Sequence, residues 1–343
     1  MKALALTAAA LLMAAPASAA DAADAVGAAF AAAATRFSAS LDDRQRRQLE
    51  FAFEDSERFD WHYTPRRRNG LPLGAMAPAQ RDAALALVRT GLSESGYAKV
   101  AGVIALEGVL REIEGAWRDP DLYFLTLFGK PASDGPWALR MEGHHLSLHF
   151  TLLDGAVVAT TPMFFGANPA ELQGGPRKGF RLFAVEEDAA LKLLNSLESG
   201  QRAQAVIAAS TYGDIVSRNA RELDPMKPEG LAARHLDDSQ RAVLMQLIGA
   251  FARTLRPELA AQRLARVEKG GADAITFAWA GRTPPASDFR GPYYFRIQGP
   301  LFLIEFDRTQ NRGNHAHAVW RDYANDWGRD VLREHYLRKP HRH

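Results

Sequence analysis

Apolar residues recur three and four positions apart over residues 25 to 55 and 77 to 115, and again over 185 to 210 and 236 to 268. That is the period of helices burying one stripe. From Leu122 and again from Ile275 the pattern tightens to alternation, the period of strands with one buried face. Each half of the chain therefore opens with two or three helices and continues as strands, which predicts an α+β fold. Asp154 and Gly155, between two strand-like runs, read as a two-residue hairpin turn. Residues 321 to 336 read as a closing helix, and the last residues, with His341 and His343, as a frayed tail.

The two halves also share landmarks in the same order. Leu41 to Arg46 (LDDRQR) resembles Leu197 to Arg202 (LESGQR), Met76 to Arg81 (MAPAQR) resembles Leu236 to Arg241 (LDDSQR), and Gly70–Leu71 answers Gly230–Leu231. Further on, Gly129, Pro131, Ser133 and Asp134 correspond to Gly281, Pro284 or Pro285, Ser287 and Asp288. Pro136, Arg140 and Gly143 correspond to Pro292, Arg296 and Gly299. Strand periodicity explains matching apolar positions but not ordered Gly, Pro, Asp and Arg landmarks. The reading is two degenerate repeats, each of helices followed by an antiparallel β-meander, over 24 to 166 and 180 to 322, with a C-terminal helix and tail over 323 to 343.

Ahead of these units, Met1 and Lys2 lead into an alanine-rich apolar run from Ala3 to Ala15, then Pro16, Ala17, Ser18 and Ala19. This is the pattern of a signal peptide over residues 1 to 19, and it predicts an exported protein, periplasmic or secreted. No other run reaches the ~20 apolar residues of a membrane span. With 42 basic and 40 acidic side chains the net charge is +2, which gives no footprint for nucleic acid. The chain has no cysteine, so disulfides and thiolate ligands are excluded. Hydrophobic content of 47% is enough for one large core or two ordinary ones.

Candidate chemistry concentrates on the second set of strands. Drawn as a three-stranded meander, Tyr293 to Trp320 places Arg296 opposite Leu303, Tyr294 opposite Glu305, Glu305 opposite His317 and Asp307 opposite His315. One side then carries Tyr293, Phe295, Ile297, Phe302, Ile304 and Phe306, a core face. The other carries Tyr294, Arg296, Glu305, Asp307, His315 and His317. A His-x-His pair on a strand puts two imidazoles on one side about 6 to 7 Å apart, within the span of one metal ion.

In the first half, burial of Leu146, Leu148, Phe150 and Leu152 leaves His145, Ser147, His149 and Thr151 on the opposite side. His149 aligns with Glu305. His145 and His149 lie about 13 Å apart on a straight strand, too far for one ion, so joint ligation needs the two halves to meet. His145, His149, His315 and His317 are thus candidate ligands of one divalent transition metal: zinc, iron, copper or manganese. The alternative is a hydrogen-bonded polar cluster without metal.

Between helices, the loop with Trp61, His62, Tyr63 and Arg68 is aromatic and basic, and with Arg140 it forms a candidate substrate-binding group. Trp61 and Tyr63 also read as packing anchors, and Arg66, Arg67 and Arg68 read either as a solvated run or as an anion holder. Asp322 reads as the cap of the closing helix. There is no G-x-S-x-G elbow, phosphate-binding glycine loop, H-E-x-x-H helix or cysteine nucleophile.

These segments carry a family resemblance. The run Trp61 to Pro65 with Gly70, Leu71 and Pro72, the stretch Gly143 to Ser147, and the ending Asn314 to Asp322 are similar to the uncharacterised family catalogued as domain of unknown function 3500. The resemblance spans nearly all of the chain after the leader. It implies no activity, but marks the histidine segments as family hallmarks.

The functional expectation is an exported metal-dependent enzyme, a hydrolase or oxidoreductase. His315 and His317 serve as ligands, Glu305 as ligand or general base, and Arg296 and Tyr294 orient a small polar substrate. The rival is a non-catalytic extracytoplasmic protein that grips a small polar ligand on the same face.

Overall fold

A computed structural model describes residues 19–283 and 291–338. Outside the described residues lie the leader up to Ser18, four of the matching landmarks (Pro284, Pro285, Ser287 and Asp288), and His341 and His343.

The helical windows resolve into four helices per half rather than two or three. In the first half these are α1 (Ala19–Ala39), α2 (Asp43–Leu49), α3 (Pro78–Arg89) and α4 (Glu94–Glu114). In the second they are α5 (Ala184–Ser196), α6 (Ser199–Ala205), α7 (Asp238–Ala252) and α8 (Pro257–Lys269). Polar caps cut the long periodic windows: the Asp42 side chain accepts from Gln45 N, and Ser93 from Gly96 N.

The matching Q-R motifs have a common task. Gln45 Nε2 donates to Ala75 O (2.8 Å) and to Gln80 Oε1 (2.9 Å), while Gln80 Nε2 donates to Ser40 O (2.7 Å). In the other half Gln201 Nε2 donates to His235 O (2.8 Å) and to Gln240 Oε1 (2.9 Å), and Gln240 Nε2 to Ser196 O (2.8 Å). Each pair of glutamines satisfies helix-terminal groups and ties a short helix to the next long one.

Among the described residues thirteen strands form one mixed sheet. The first half supplies β1 (Glu50–Phe51), β2 (Leu71–Pro72), β3 (Phe124–Phe128), β4 (Pro136–Gly143), β5 (Leu146–Leu153), β6 (Ala156–Ala159) and β7 (Met163–Ala167). The second supplies β8 (Val206–Ala208), β9 (Leu231–Ala232), β10 (Thr276–Gly281), β11 (Tyr293–Gln298), β12 (Phe302–Arg308) and β13 (Ala316–Asp322). From the central β7–β13 pair the order runs outward through β5, β4, β3 and β1 on one side and β12, β11, β10 and β8 on the other. The sheet is not purely antiparallel as expected, because β1 and β8 follow short helices and pair parallel with β3 and β10. At Asp154 and Gly155 the β5–β6 hairpin has φ of 48° and 80°, the left-handed pair that a tight two-residue turn requires.

One face of the sheet packs under the helices. Phe295 and Phe306 stack with ring centroids 5.0 Å apart, and Trp279 stacks on Tyr293 at 4.7 Å. These rings share a core with Phe30, Leu191, Leu244 and Leu247 from the helices. Each buried side chain of this kind contributes about 1.5–3 kcal/mol relative to exposure. Among the described residues no helix is long and apolar enough to cross a membrane.

The meander on paper had the right faces and the wrong register. Arg296 pairs with Glu305, Tyr294 with Asp307, and Asp307 with His317, each two positions from the expected partner. A shift of two conserves the side each residue faces, so the core and polar sides remain as read. The closing helix is also shorter than expected. Arg321 and Asp322 belong to β13, and the helix proper is α10 (Arg329–Arg338). Asp322 is consequently not a helix cap. Its Oδ1 accepts from Ala324 N and Asn325 N in the turn after the strand, and its carboxylate pairs with Arg266.

The other face of the sheet is covered by two long loops, 52–70 and 209–230. Trp61 and Tyr63 from the first and Ile215 from the second form a small core with Phe164, Val319 and Trp327. The loops also clasp each other: Tyr63 OH donates to Asp214 Oδ2 (3.0 Å) and Asn219 Nδ2 to Trp61 O (3.3 Å).

Candidate metal centre

Three imidazoles meet beneath these loops. His145 occupies the turn joining β4 to β5 with φ of 62°, a left-handed conformation costing a non-glycine residue of order 1–3 kcal/mol. Two backbone bonds hold it there, His145 N to Tyr63 O (2.8 Å) and Gly166 N to His145 O (2.7 Å). His317 lies in β13 opposite Gly166 of β7, and His315 immediately precedes that strand. Ahead of His315, the single turn α9 (Gln310–Gly313) is followed by Asn314, whose side chain is pinned to the Glu171 backbone (2.8 and 3.2 Å).

The Nε2 atom of His315 lies 2.8 Å from that of His145 and 3.0 Å from that of His317, and the remaining pair is 3.3 Å apart. A neutral imidazole has one N–H and one lone pair. One proton can bridge two such nitrogens, but a third in the same triangle must then face another lone pair or another proton. A cation satisfies all three lone pairs together, so the group can hold a metal ion.

The surroundings prepare the rings for that task. Burial, reinforced by the neighbouring imidazoles, holds His145 well below the ordinary histidine range and pushes His315 down to about 3, so both are neutral at neutral pH. Asp214 Oδ1 lies 2.6 Å from His317 Nδ1. That contact places the ring proton on Nδ1 and turns the Nε2 lone pair toward the triangle. Burial alone would raise the Asp214 carboxyl, but the bond to and charge of His317, with the bonds from Ile215 N and Tyr63 OH, together outweigh it and keep the group below its usual value.

Glu305 lies elsewhere on this face. Its carboxylate accepts from Val216 N (2.6 Å), Ser217 N (3.0 Å) and Tyr294 OH (2.8 Å). Glu305 and Tyr294 therefore clamp the loop that presents Asp214, rather than standing in the triangle. Arg296 reaches away toward Glu229 (2.7 Å). His149 is outside the group as well, since β5 runs straight past it. It is fully buried, with Nε2 3.0 Å from Ser147 Oγ and edge-on rings of Trp61 and Trp327 around it.

In the 52–70 loop, Trp61 and Tyr63 are buried anchors, and Tyr63 stacks on Phe164 at 4.2 Å. Arg140 is buried and donates to the carbonyls of Glu57 (2.8 Å) and Asp60 (2.9 Å). Arg68 pairs with Glu142 (2.8 Å) and also binds the carbonyls of His62, Thr64 and Gly143. Both arginines thus fasten the loop to β4. His62 lies between Asp60 (3.1 Å) and Asn219 (3.0 Å) on the wall of a cavity.

Asp214 and Gly166 were not found from the sequence. Asp214 sits in a loop without periodicity, and nothing local marks it as a partner of a histidine 103 residues away. Gly166 lies in an apolar strand, where a glycine signals close approach without naming the neighbour. Asp214→Asn should weaken metal binding by about 10- to 100-fold, because the ring loses its anionic anchor. Competition titration against a chromophoric chelator measures this, and an unchanged affinity would show that Asp214 does not orient His317.

No curated protein and no solved structure matches this chain. Residues 23–329 match the family described as protein of unknown function (DUF3500), and the chain belongs to that family.

Proposed function

We propose that this protein is an exported metal-dependent enzyme, a hydrolase or oxidoreductase, built on one divalent transition metal ion bound by His145, His315 and His317. The observation that carries the reading is the triangle of Nε2 atoms, with sides of 2.8, 3.0 and 3.3 Å. A triangle with sides near 3 Å suits an ion about 2 Å from each corner, the usual metal–imidazole distance. A hydrogen-bonded cluster without metal leaves at least one pair of these nitrogens in repulsion.

Three neutral ligands leave the ion its full charge, so a bound ion supplies strong Lewis acidity, or electron transfer if it is iron or copper. The protein's part is to hold the rings, through Asp214 on His317 and the backbone bonds on His145. Glu305 and Tyr294 act at one remove by fixing the loop that carries Asp214.

The centre draws on both halves of the chain, since His145 comes from one and His315 and His317 from the other. We read the halves as degenerate copies of one unit, over 24–166 and 180–322. The landmark order, the two glutamine networks and the mirrored strand order support that reading.

Elemental analysis of protein purified from its native compartment tests the proposal. One equivalent of a transition metal is expected, and its identity separates hydrolytic from redox chemistry. Protein that is metal-free as isolated and binds zinc, iron and copper no better than a surface histidine pair would overturn it. A non-catalytic ligand-binding role is the second reading, favoured by one observation: a cavity of about 850 Å³ is lined by residues other than the three ligands.

A further inference from the structure

Beside the metal centre a cavity of about 850 Å³ opens between the 60–69 loop and the segment following α4. Its size suits a small organic molecule. His144 lines it, and its ring stacks on that of His145 with centroids 3.7 Å apart. An occupant that reaches His144 therefore lies one imidazole away from a ligand of the proposed ion.

The charges on the wall are unevenly satisfied. Glu142 is paired with Arg68, Glu57 with Arg140, and Glu107 with His144 and Arg118. Asp60 is bonded to His62, and Asp119 lies 3.9 Å from Arg111. Arg66 reaches Asp60 only at 3.8 Å, and among the described residues no carboxylate comes within 4.0 Å of Arg67. With Glu114, which holds Arg118 at 2.7 Å, the acidic and basic groups around the cavity balance, and the guanidinium groups on its wall with no carboxylate in hydrogen-bond reach are those of Arg66 and Arg67. The lip also exposes apolar surface: Trp117 is 59% exposed and Leu122 48%. The Trp117 indole is fixed in place by a bond from Nε1 to Glu114 O (2.9 Å). Large exposed apolar side chains gathered at the mouth of a cavity mark a contact surface.

We propose that this cavity binds a small organic monoanion with an apolar body, an aromatic or aliphatic carboxylate. The anionic group sits at Arg66 and Arg67, and the apolar part lies against Trp117 and Leu122. This deepens the enzyme reading by naming its substrate class, and it rests on that reading only for the closeness of ligand to metal. A cationic ligand would meet the two arginines, and a neutral one would leave them unanswered.

The test uses para-trifluoromethylbenzoate and its neutral isostere para-trifluoromethylbenzyl alcohol, followed by fluorine NMR on the metal-free full chain. The benzoate should bind, and the alcohol should bind at least about fivefold more weakly. Arg67→Glu and Trp117→Ser, both at exposed positions and so safe for folding, should each weaken the benzoate by about fivefold. Equal affinity for the alcohol, unchanged affinity in Arg67→Glu, or no benzoate binding at millimolar concentration overturns the site.

Loading with cupric ion should then broaden the bound benzoate signal, and His315→Ala/His317→Ala should abolish that broadening. Copper bound without broadening overturns the substrate assignment. Failure to bind copper at all instead overturns the metal reading and leaves the charge comparison standing.

Discussion

Gly166→Ala should abolish metal binding at the proposed centre as completely as His315→Ala, although the glycine is not one of its ligands. An added Cβ at this position would lie 2.7 Å from Cδ2 and 2.8 Å from Cγ of His145, closer than real side chains approach. The ring cannot retreat easily, because His144 stacks on it and both backbone groups of His145 are bonded. Gly166 is also fixed, being paired with His317 in the centre of the sheet. The added methyl must therefore push the His145 imidazole out of the triangle. Loss of one ligand of three lowers affinity by at least about 100-fold, on the scale of deleting a histidine ligand outright. Isothermal titration with zinc measures it, with circular dichroism to confirm that the fold persists. Metal affinity within threefold of the parent in a folded Gly166→Ala protein would mean that His145 is not a ligand.

The second large effect is on stability. Glu187, at the start of α5, and Arg308, at the end of β12, are each 1% exposed, and Arg308 Nη1 donates to both carboxylate oxygens of Glu187 at 2.8 Å. Arg181 pairs with the same carboxylate, and Arg308 Nε also donates to Gly313 O, two residues before His315. Glu187→Ala leaves two guanidinium groups without their shared anion, one of them wholly removed from water. Breaking a buried pair from one side costs about 3–5 kcal/mol, because the remaining charge is uncompensated. For a chain of this size that lowers the thermal midpoint by about 4–7 °C. Differential scanning calorimetry reads the shift. Since Arg308 anchors the segment leading into His315, metal affinity should fall in the same variant. A midpoint within two degrees of the parent would show that water reaches Arg308 and the pair contributes little.

Much of the fold was legible because burial imposes periods. Alternation over Tyr293 to Trp320 divided core from polar side chains correctly, even though each strand pair was misregistered by two residues. Parity survives such an error, which is why His315, His317, Glu305 and Asp307 were placed on the right side of the sheet. Register itself was lost because turn geometry sets it, and the turn before β13 contains left-handed Asn311 and Arg312 that composition does not announce. His145 and His149 looked equivalent in sequence, one on each side of Ser147 and Leu148. The structure separates them, since His145 lies in a turn bent toward β13 while His149 points into an aromatic enclosure.

The amino-acid sequence by itself determined the α+β class, the polar side of the sheet, a set of four candidate histidines of which three converge, and the absence of thiolate chemistry. It did so because helix and strand periods, and the residue types they bury, are local properties. Only the tertiary structure decided which histidines converge, that Asp214 rather than Glu305 orients one of them, and that Gly166 makes room for another. Those outcomes depend on β7 pairing with β13 and on two loops closing over the sheet. Such contacts join residues more than a hundred positions apart, and no local pattern encodes distance between elements.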